Sequence, residues 1–351
     1  MDECERSADG EIDSVEFPDA IPSGFPDGRN DADVLKGAGS AKGSGAEEGA
    51  CAPRPHSLLR SIAYPLLLLA VVLVGGASLL LEWDPARVSP LFLVGTLVYL
   101  AVLERLIPHD RNWHPGKDEW RWYGVYFLLT MAGSGLAQLL VTAAVGRIAP
   151  DEPSGHLGAE IPGALLAGSL VGYLVHRLGH TSALLWRLHG VHHVPPKVNV
   201  ANNGVNHVLD IVLAQSLVQL TLALIGFSRP AVLVVGLFVV AQGYFIHANI
   251  DVRIGRLNHL LASPEQHRLH HSTDLSEAGH YGSDLSCWDH LFGSFTWRPG
   301  REPAAVGLHD PATFPGTGEI LASLLHPWRR RPGSGPGPGP GPDPAPGLGP
   351  D

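Results

Sequence analysis

Residues 62–81 read IAYPLLLLAVVLVGGASLLL, twenty consecutive positions without a charged side chain. At about 1.5 Å of rise per residue, a helix of that length matches the hydrocarbon thickness of a bilayer. Five further apolar runs follow at about 88–107, 124–146, 161–178, 208–227 and 230–249. The expectation is an all-α integral membrane helical bundle of four to six spans arranged in hairpins. The fourth and fifth runs are shorter or carry polar residues, which leaves an interfacial placement or a buried soluble helix open for them.

The rest of the composition divides around this core. Glycine and proline supply 42 and 30 of the 351 residues, only 17% are charged and mean hydropathy is +0.10, a mixture unlike a single soluble domain. Residues 1–57 hold 13 Asp/Glu against five Lys/Arg and no long apolar run, so this segment is expected to be a disordered acidic tail. Residues 332–351 are mostly Gly-Pro repeats and are expected to form an extended tail. The membrane domain is therefore 58–331. It is close to neutral, with no basic field suited to nucleic acid. Cys4, Cys51 and Cys287 form no CxxC pair and no disulfide framework. The polar, acidic start does not resemble a cleavable signal peptide, so the first apolar run is expected to stay in the membrane.

Loop charge suggests an orientation. Arg54 and Arg60 precede the first run, and Arg105, Arg111, Lys117 and Arg121 lie between the second and third, whereas the alternate loops offer little beyond Arg87, Arg147 and Arg229. By the positive-inside rule the N-terminus is cytoplasmic, together with the segment at 176–207 and everything after Asn249. Thirteen of the 19 histidines fall between His176 and His290, nearly all in those two segments.

Their spacing carries chemistry. His176-Arg-Leu-Gly-His180 puts two imidazoles at i and i+4, on one face of a helix. His189-Gly-Val-His192-His193 and His267-Arg-Leu-His270-His271 repeat one His-x2-His-His pattern on either side of an apolar hairpin. In a helix each triplet can present up to three imidazoles to a common point, and imidazole suits Fe, Zn, Cu and Ni. Eight such ligands exceed what one ion accepts, so the set implies a dinuclear site in a cytoplasmic histidine-rich helical cap. A pH-sensing histidine patch is the alternative.

These motifs resemble the fatty acid hydroxylase/sterol desaturase superfamily of membrane di-iron oxygenases, over roughly 104–297. The resemblance rests on His176-x3-His180, Leu185-Trp-Arg-Leu-His189-Gly-Val-His192-His193, His247-Ala-Asn249 and Pro264-Glu-Gln-His267-Arg-Leu-His270-His271-Ser272. It closes with Tyr281-Gly282 and Trp288-Asp-His-Leu-Phe-Gly-Ser-Phe295. The family pattern implies two more metal ligands, His207 and His247, although Val205 and Val208 stand where many relatives have Arg and Pro. His280 occupies a position where the family often has Asn, and it could be a ligand, a donor behind the ligands or drift. His259 and His290 match no family position and are expected at the surface. No Glu-x-x-His pair of the kind used by soluble di-iron proteins lies near the clusters. Asp274, Asp284 and Asp289 are candidates to orient imidazole N–H groups, with helix-end or surface roles as the alternative. Trp186 and Trp288 read as interface anchors.

The resemblance implies O2 activation at two iron ions and attack on an unactivated C–H bond of a lipid, giving an alcohol or, by a second abstraction, an alkene. The histidines would hold metal and would not act as acids or bases. The chain carries neither a dinucleotide fingerprint nor a haem attachment motif, so an external ferredoxin, cytochrome or reductase is the expected electron donor. The acidic N-terminal segment could assist its docking. A multi-span transition-metal transporter and a zinc-bound, non-oxidising relative are the competing readings. Which lipid is oxidised is not written in the motifs.

Overall fold

Residues 57–145 and 156–329 are described by the structure, a computed structural model. Among them the secondary structure is helical, with three isolated β-bridges and no strand. The tails expected at 1–57 and 332–351 lie outside the described residues, Ser57 apart. Six long helices carry the fold: α1 (Ser57–Leu80), α2 (Pro85–Leu106), α3 (Lys117–Val145), α4 (Leu157–Thr181), α6 (Val208–Ile225) and α7 (Arg229–Ile246), with the short α5 (Ala183–His189) between α4 and α6. All six are long and apolar enough to cross a membrane, including those formed by the fourth and fifth runs.

Local chemistry sets their ends. Asp84 accepts the Ala86 amide and Pro85 follows it, so α2 begins with one orphan donor satisfied and another absent. Gly226, at φ 88°, closes α6 in the left-handed conformation that glycine adopts without penalty, and Ser228 accepts the Ala231 amide to begin α7. What the long helices turn outward is apolar: Val72, Leu128 and Leu139 are 68%, 68% and 69% exposed, and Leu224 and Ile225 of α6 are exposed as well. A buried soluble helix would cover such faces, whereas lipid is their natural solvent.

The bundle is joined through α7, against which α1, α2 and α4 pack, and through α6, which packs on α3 and α4. A Cβ on Gly133 of α3 would lie 3.2 Å from the Val208 carbonyl, so glycine is what allows α3 and α6 to approach so closely. Arg60 pairs with Asp251 at 3.1 Å, Lys197 with Glu119 at 2.8 Å, and Thr130 donates to the Gly204 carbonyl. The start of α1 therefore meets the end of α7, the end of α2 reaches Asn249 just beyond α7, and α6 begins beside the middle of α3. The short helices α5, α8 (Pro264–His270), α9 (Cys287–Phe292) and α10 (Ile320–Leu325) cap the end of the bundle at which α2 and α7 finish.

Candidate metal centre

The last two turns of α4 carry His176 and His180. Ser182 then accepts the Leu185 amide and restarts the chain as α5, which ends at His189 and runs into a 3-10 turn, Gly190–His193. Gly179 makes the return possible, because the His189 ring lies where a Cβ on that residue would meet it at 3.0 Å. Gly190 is covered by the Phe314 ring so closely that no side chain fits there. His247 follows the last residue of α7. On α8, Ser263 and Gln266 form a reciprocal capping box that fixes the start of the helix bearing His267 and His270, with His271 just beyond.

Nine imidazoles converge in two groups. His176, His180, His189, His193 and His270 form the first; His192, His247, His267 and His271 form the second; within each group one ligand nitrogen per residue lies within 4.8 Å of all the others. The triplets do not each face one point, as helical spacing suggested. His189 and His193 enter the first group and His192 the second, whereas His267 and His271 enter the second and His270 the first. Each triplet thus gives its i and i+4 residues to one group and its i+3 residue to the other, and the two segments interlock.

Five of the outer nitrogens are held by the protein. Nδ1–H of His176 donates to the Tyr281 carbonyl at 2.6 Å, that of His192 to Val205 at 3.2 Å, that of His247 to Asn199 at 2.9 Å and that of His270 to Gly279 at 3.1 Å. His189 Nδ1 meets Asp210 Oδ2 at 3.0 Å. The inner nitrogens have nothing: Nε2 of His176, His180, His189, His193, His247 and His270 is buried without a hydrogen-bond partner. Leaving one such atom unpaired costs about 1–3 kcal/mol, so six aimed into the same space need an explanation. His267 and His271 bring their Nε2 atoms within 3.1 Å of each other. Metal ions fit this donor set: nitrogen donors suit iron or zinc, and a ligating imidazole characteristically donates its other N–H to a carbonyl or carboxylate. Burial holds His192, His193, His267 and His271 well below the ordinary imidazole range and pushes His247 to about 4 and His270 to about 3, so they are neutral, the form that binds metal.

His207, expected as a ligand, is not brought to either group. Its Nδ1 accepts the Leu209 amide as the N-cap of α6 and its Nε2–H donates to the Leu324 carbonyl at 3.1 Å, so both nitrogens are occupied. Of the three candidate carboxylates, Asp274 is exposed and caps Ser276, while Asp284 accepts from Ser169 and Leu285. Neither of those two is hydrogen-bonded to an imidazole of the groups. Asp289 acts one step away: fully buried, it accepts the Tyr281 and Gly282 amides and the Ser294 hydroxyl, fixing the turn whose Tyr281 carbonyl holds His176. The carboxylate that touches a ligand is Asp210, and its sequence signal was an acid in the first turn of an otherwise apolar span. Glu104 is the other residue not anticipated. Buried at the end of α2, it accepts the amides of Val200 and Asn249 and so joins the two segments on either side of the His247–Asn199 bond.

His280 lies outside both groups, at φ 62°. Asn and His are among the few non-glycine residues found there, which accounts physically for the Asn–His exchange at this position. His259 and His290 are exposed and bonded to each other at 3.2 Å. The Trp186 ring, expected as an interface anchor, lies 5.2 Å from His180 and 5.5 Å from His193, and Trp288 donates to Ser169 on α4 at 3.0 Å.

The fatty acid hydroxylase family profile matches residues 161–294, which contain all nine imidazoles. The chain is similar to the ornithine lipid hydroxylase OlsE of Rhizobium tropici, 30% identical over 255 residues that cover 68% of this chain and 75% of the relative. It is also similar to alkylglycerol monooxygenases, 29% identical to that of Homo sapiens and 30% to that of Danio rerio. These matches cover 40% and 48% of this chain but only 31% and 37% of the relatives' own length. No solved structure matches.

Proposed function

The chain belongs to the fatty acid hydroxylase family, and from that premise we propose that it is a membrane oxidoreductase that hydroxylates a lipid at a histidine-held di-iron centre. The observation that carries the reading is the convergence of nine imidazoles in two groups, five of them anchored at the outer nitrogen and six with an inner Nε2 that is buried without a hydrogen-bond partner. His176, His180, His189, His193 and His270 would hold one ion, and His192, His247, His267 and His271 the other. When bound, the two ions would supply the O2 chemistry, in which RH, O2, two protons and two electrons give ROH and water. The relatives bear hydroxylase and monooxygenase names, which favours hydroxylation over desaturation.

This chain's residues contribute geometry and dryness. Asp210 and the carbonyls of Tyr281, Val205, Asn199 and Gly279 fix the orientation of five of the nine rings, so those five need not reorganise. Phe314, on the segment after the family match, closes over Gly190, and the Gly307 amide bonds the His271 carbonyl; both keep water from the nitrogens. The lipid tail would lie against the apolar helices with its target carbon raised to the capped end. The basic residues between α2 and α3 favour a cytoplasmic capped end, with 58–331 as the membrane domain and an external one-electron donor. Ligands gathered at helix ends, and not on broken helices at mid-membrane, weigh against the transporter.

The test is purification with native metal, followed by metal analysis and lipid profiling of cells with and without the gene under isotopically labelled O2. Iron in both groups and one labelled oxygen in a lipid product are expected. Zinc alone in a preparation that converts lipid, or a product without the label, would overturn the proposal.

A further inference from the structure

Five aromatic residues that the centre does not use form a continuous run of stacked and edge-on ring contacts from the surface toward its edge. Trp297 meets His259 edge-on at 5.3 Å, and His259 and His290 stack on Phe295 at 5.1 and 3.8 Å. The Phe295 ring lies 5.7 Å from that of buried His280. His280 is tied to the same strand of chain, since its amide donates to the Ser294 carbonyl at 2.8 Å. The residue before it, Gly279, presents the carbonyl that accepts Nδ1–H of His270. The outer end is exposed at His259 and His290, beside Leu260 (56% exposed) and Leu291 (67%).

Arginines outnumber exposed acids at this outer end. Arg253, Arg256 and Arg298 are exposed, Glu265, near Arg253, is half-buried, and exposed Asp274 lies near Arg298. A basic rim about an apolar, aromatic centre is complementary to an acidic partner and would steer it by long-range attraction.

We propose that the face made by Arg256, His259, His290, Trp297 and Arg298 is the docking site of an acidic one-electron carrier protein, and that the stack Phe295–His280–Gly279–His270 is the electron's path into the centre. The proposal rests on the di-iron reading above. No bond forms or breaks in this chain and no ring is itself oxidised. The reduced carrier would lose one electron to an ion held by His270, and two such events would supply the two electrons that hydroxylation consumes.

The experiment uses the full chain, iron-loaded, in phosphatidylcholine nanodiscs, with an acidic [2Fe–2S] ferredoxin as the probe. Binding is read by interferometry at low and high salt. Anaerobic electron transfer is read by stopped flow, with dithionite and a small viologen as a carrier-independent reductant. The double variant Arg256→Glu/Arg298→Glu should weaken ferredoxin binding by about tenfold and flatten its salt dependence, while viologen reduces the centre as before. Arg121→Glu, at the same end of the bundle but away from the face, should leave binding intact. Phe295→Leu should keep the affinity and slow electron transfer severalfold, and Phe295→Tyr should restore the rate.

Equal weakening by Arg121→Glu, or undiminished binding by the double variant, would overturn the docking face, as would a face closed to ferredoxin by the lipid. An unslowed Phe295→Leu would overturn the path. If viologen fails to reduce the wild-type centre, the di-iron reading itself falls and takes this inference with it.

Discussion

His192 and His193 are consecutive in the chain, yet their rings stand at 89° and each enters a different nitrogen group. The 3-10 turn at Gly190–His193 is tight enough to send neighbouring side chains apart, so one peptide bond links the two candidate ion sites. This link ties the position of one group to the other.

The two residues are therefore not equivalent to mutation. His192→Ala leaves three nitrogens in the second group, whereas His193→Ala leaves four in the first. Metal content should fall by about half in the first variant and less in the second, because three ligands hold an ion in an open site and four close it. Metal analysis alongside circular dichroism checks this. Equal loss with helicity unchanged would mean that the nitrogens do not sort as described.

Asp210→Ala should loosen metal at His189 by about 10–100-fold, the usual effect of removing the group behind a ligating imidazole. Asp210→Asn retains an oxygen acceptor for the same N–H and should recover most of the affinity. Competitive chelator titration of both variants reads the difference. Identical losses would point to the carboxylate charge, with ring orientation playing no part.

His207 tests the line between a ligand and a cap. His207→Ala should cost about 2–4 kcal/mol of stability, through loss of the Leu209 cap bond, the Leu324 bond and a fully buried ring, and leave metal content unchanged. His207→Asn, a better capping residue, should recover the share of the stability that the cap supplies. Thermal unfolding and metal analysis on the same samples decide it, and a loss of bound metal would return His207 to the ligand set.

Much of this architecture is legible in the residues, and the parts that are not have physical reasons. The stretch at 62–81 is apolar over a bilayer's thickness whatever surrounds it, so the spans can be read locally. His176 and His180, i and i+4 on one helix, likewise reach one group as their spacing predicts. The sorting of His189, His192 and His193 depends on the chain leaving α-geometry at Gly190 and on α8 crossing beside it, which no spacing within one segment contains. His207 looks the same in sequence whether its lone pair faces an ion or an amide. Asp210 and Glu104 act on partners 21 and 96 or more residues away, contacts that only the assembled bundle creates.

Glu104 is expected to be a positioning residue. Replacing it with Ala would strand the buried amides of Val200 and Asn249, each costing about 1–3 kcal/mol. Glu104→Gln keeps an acceptor oxygen for both and should be much milder. Urea unfolding of the two variants, with metal affinity at the second group as a further readout, separates them. If Gln is as damaging as Ala, the two-amide cradle is not what the carboxylate provides.

His280 gives a pH signature free of metal ligation. Burial pushes its imidazole down to about 4, against an ordinary value of 6.5 in the unfolded chain. As pH falls from 6.5 toward 4 the unfolded chain takes up a proton that the folded chain refuses, so stability present above 6.5 is lost across that window. His280→Asn removes the titration while keeping a residue that tolerates φ 62°. Its unfolding free energy should therefore gain on the wild type as pH falls through the window, with a smaller difference at pH 7. His280→Val, which cannot easily adopt that backbone, should lose about 1–3 kcal/mol at every pH. Denaturant titrations of the three proteins between pH 4 and 7 would show it, and parallel curves for wild type and His280→Asn would refute the assignment.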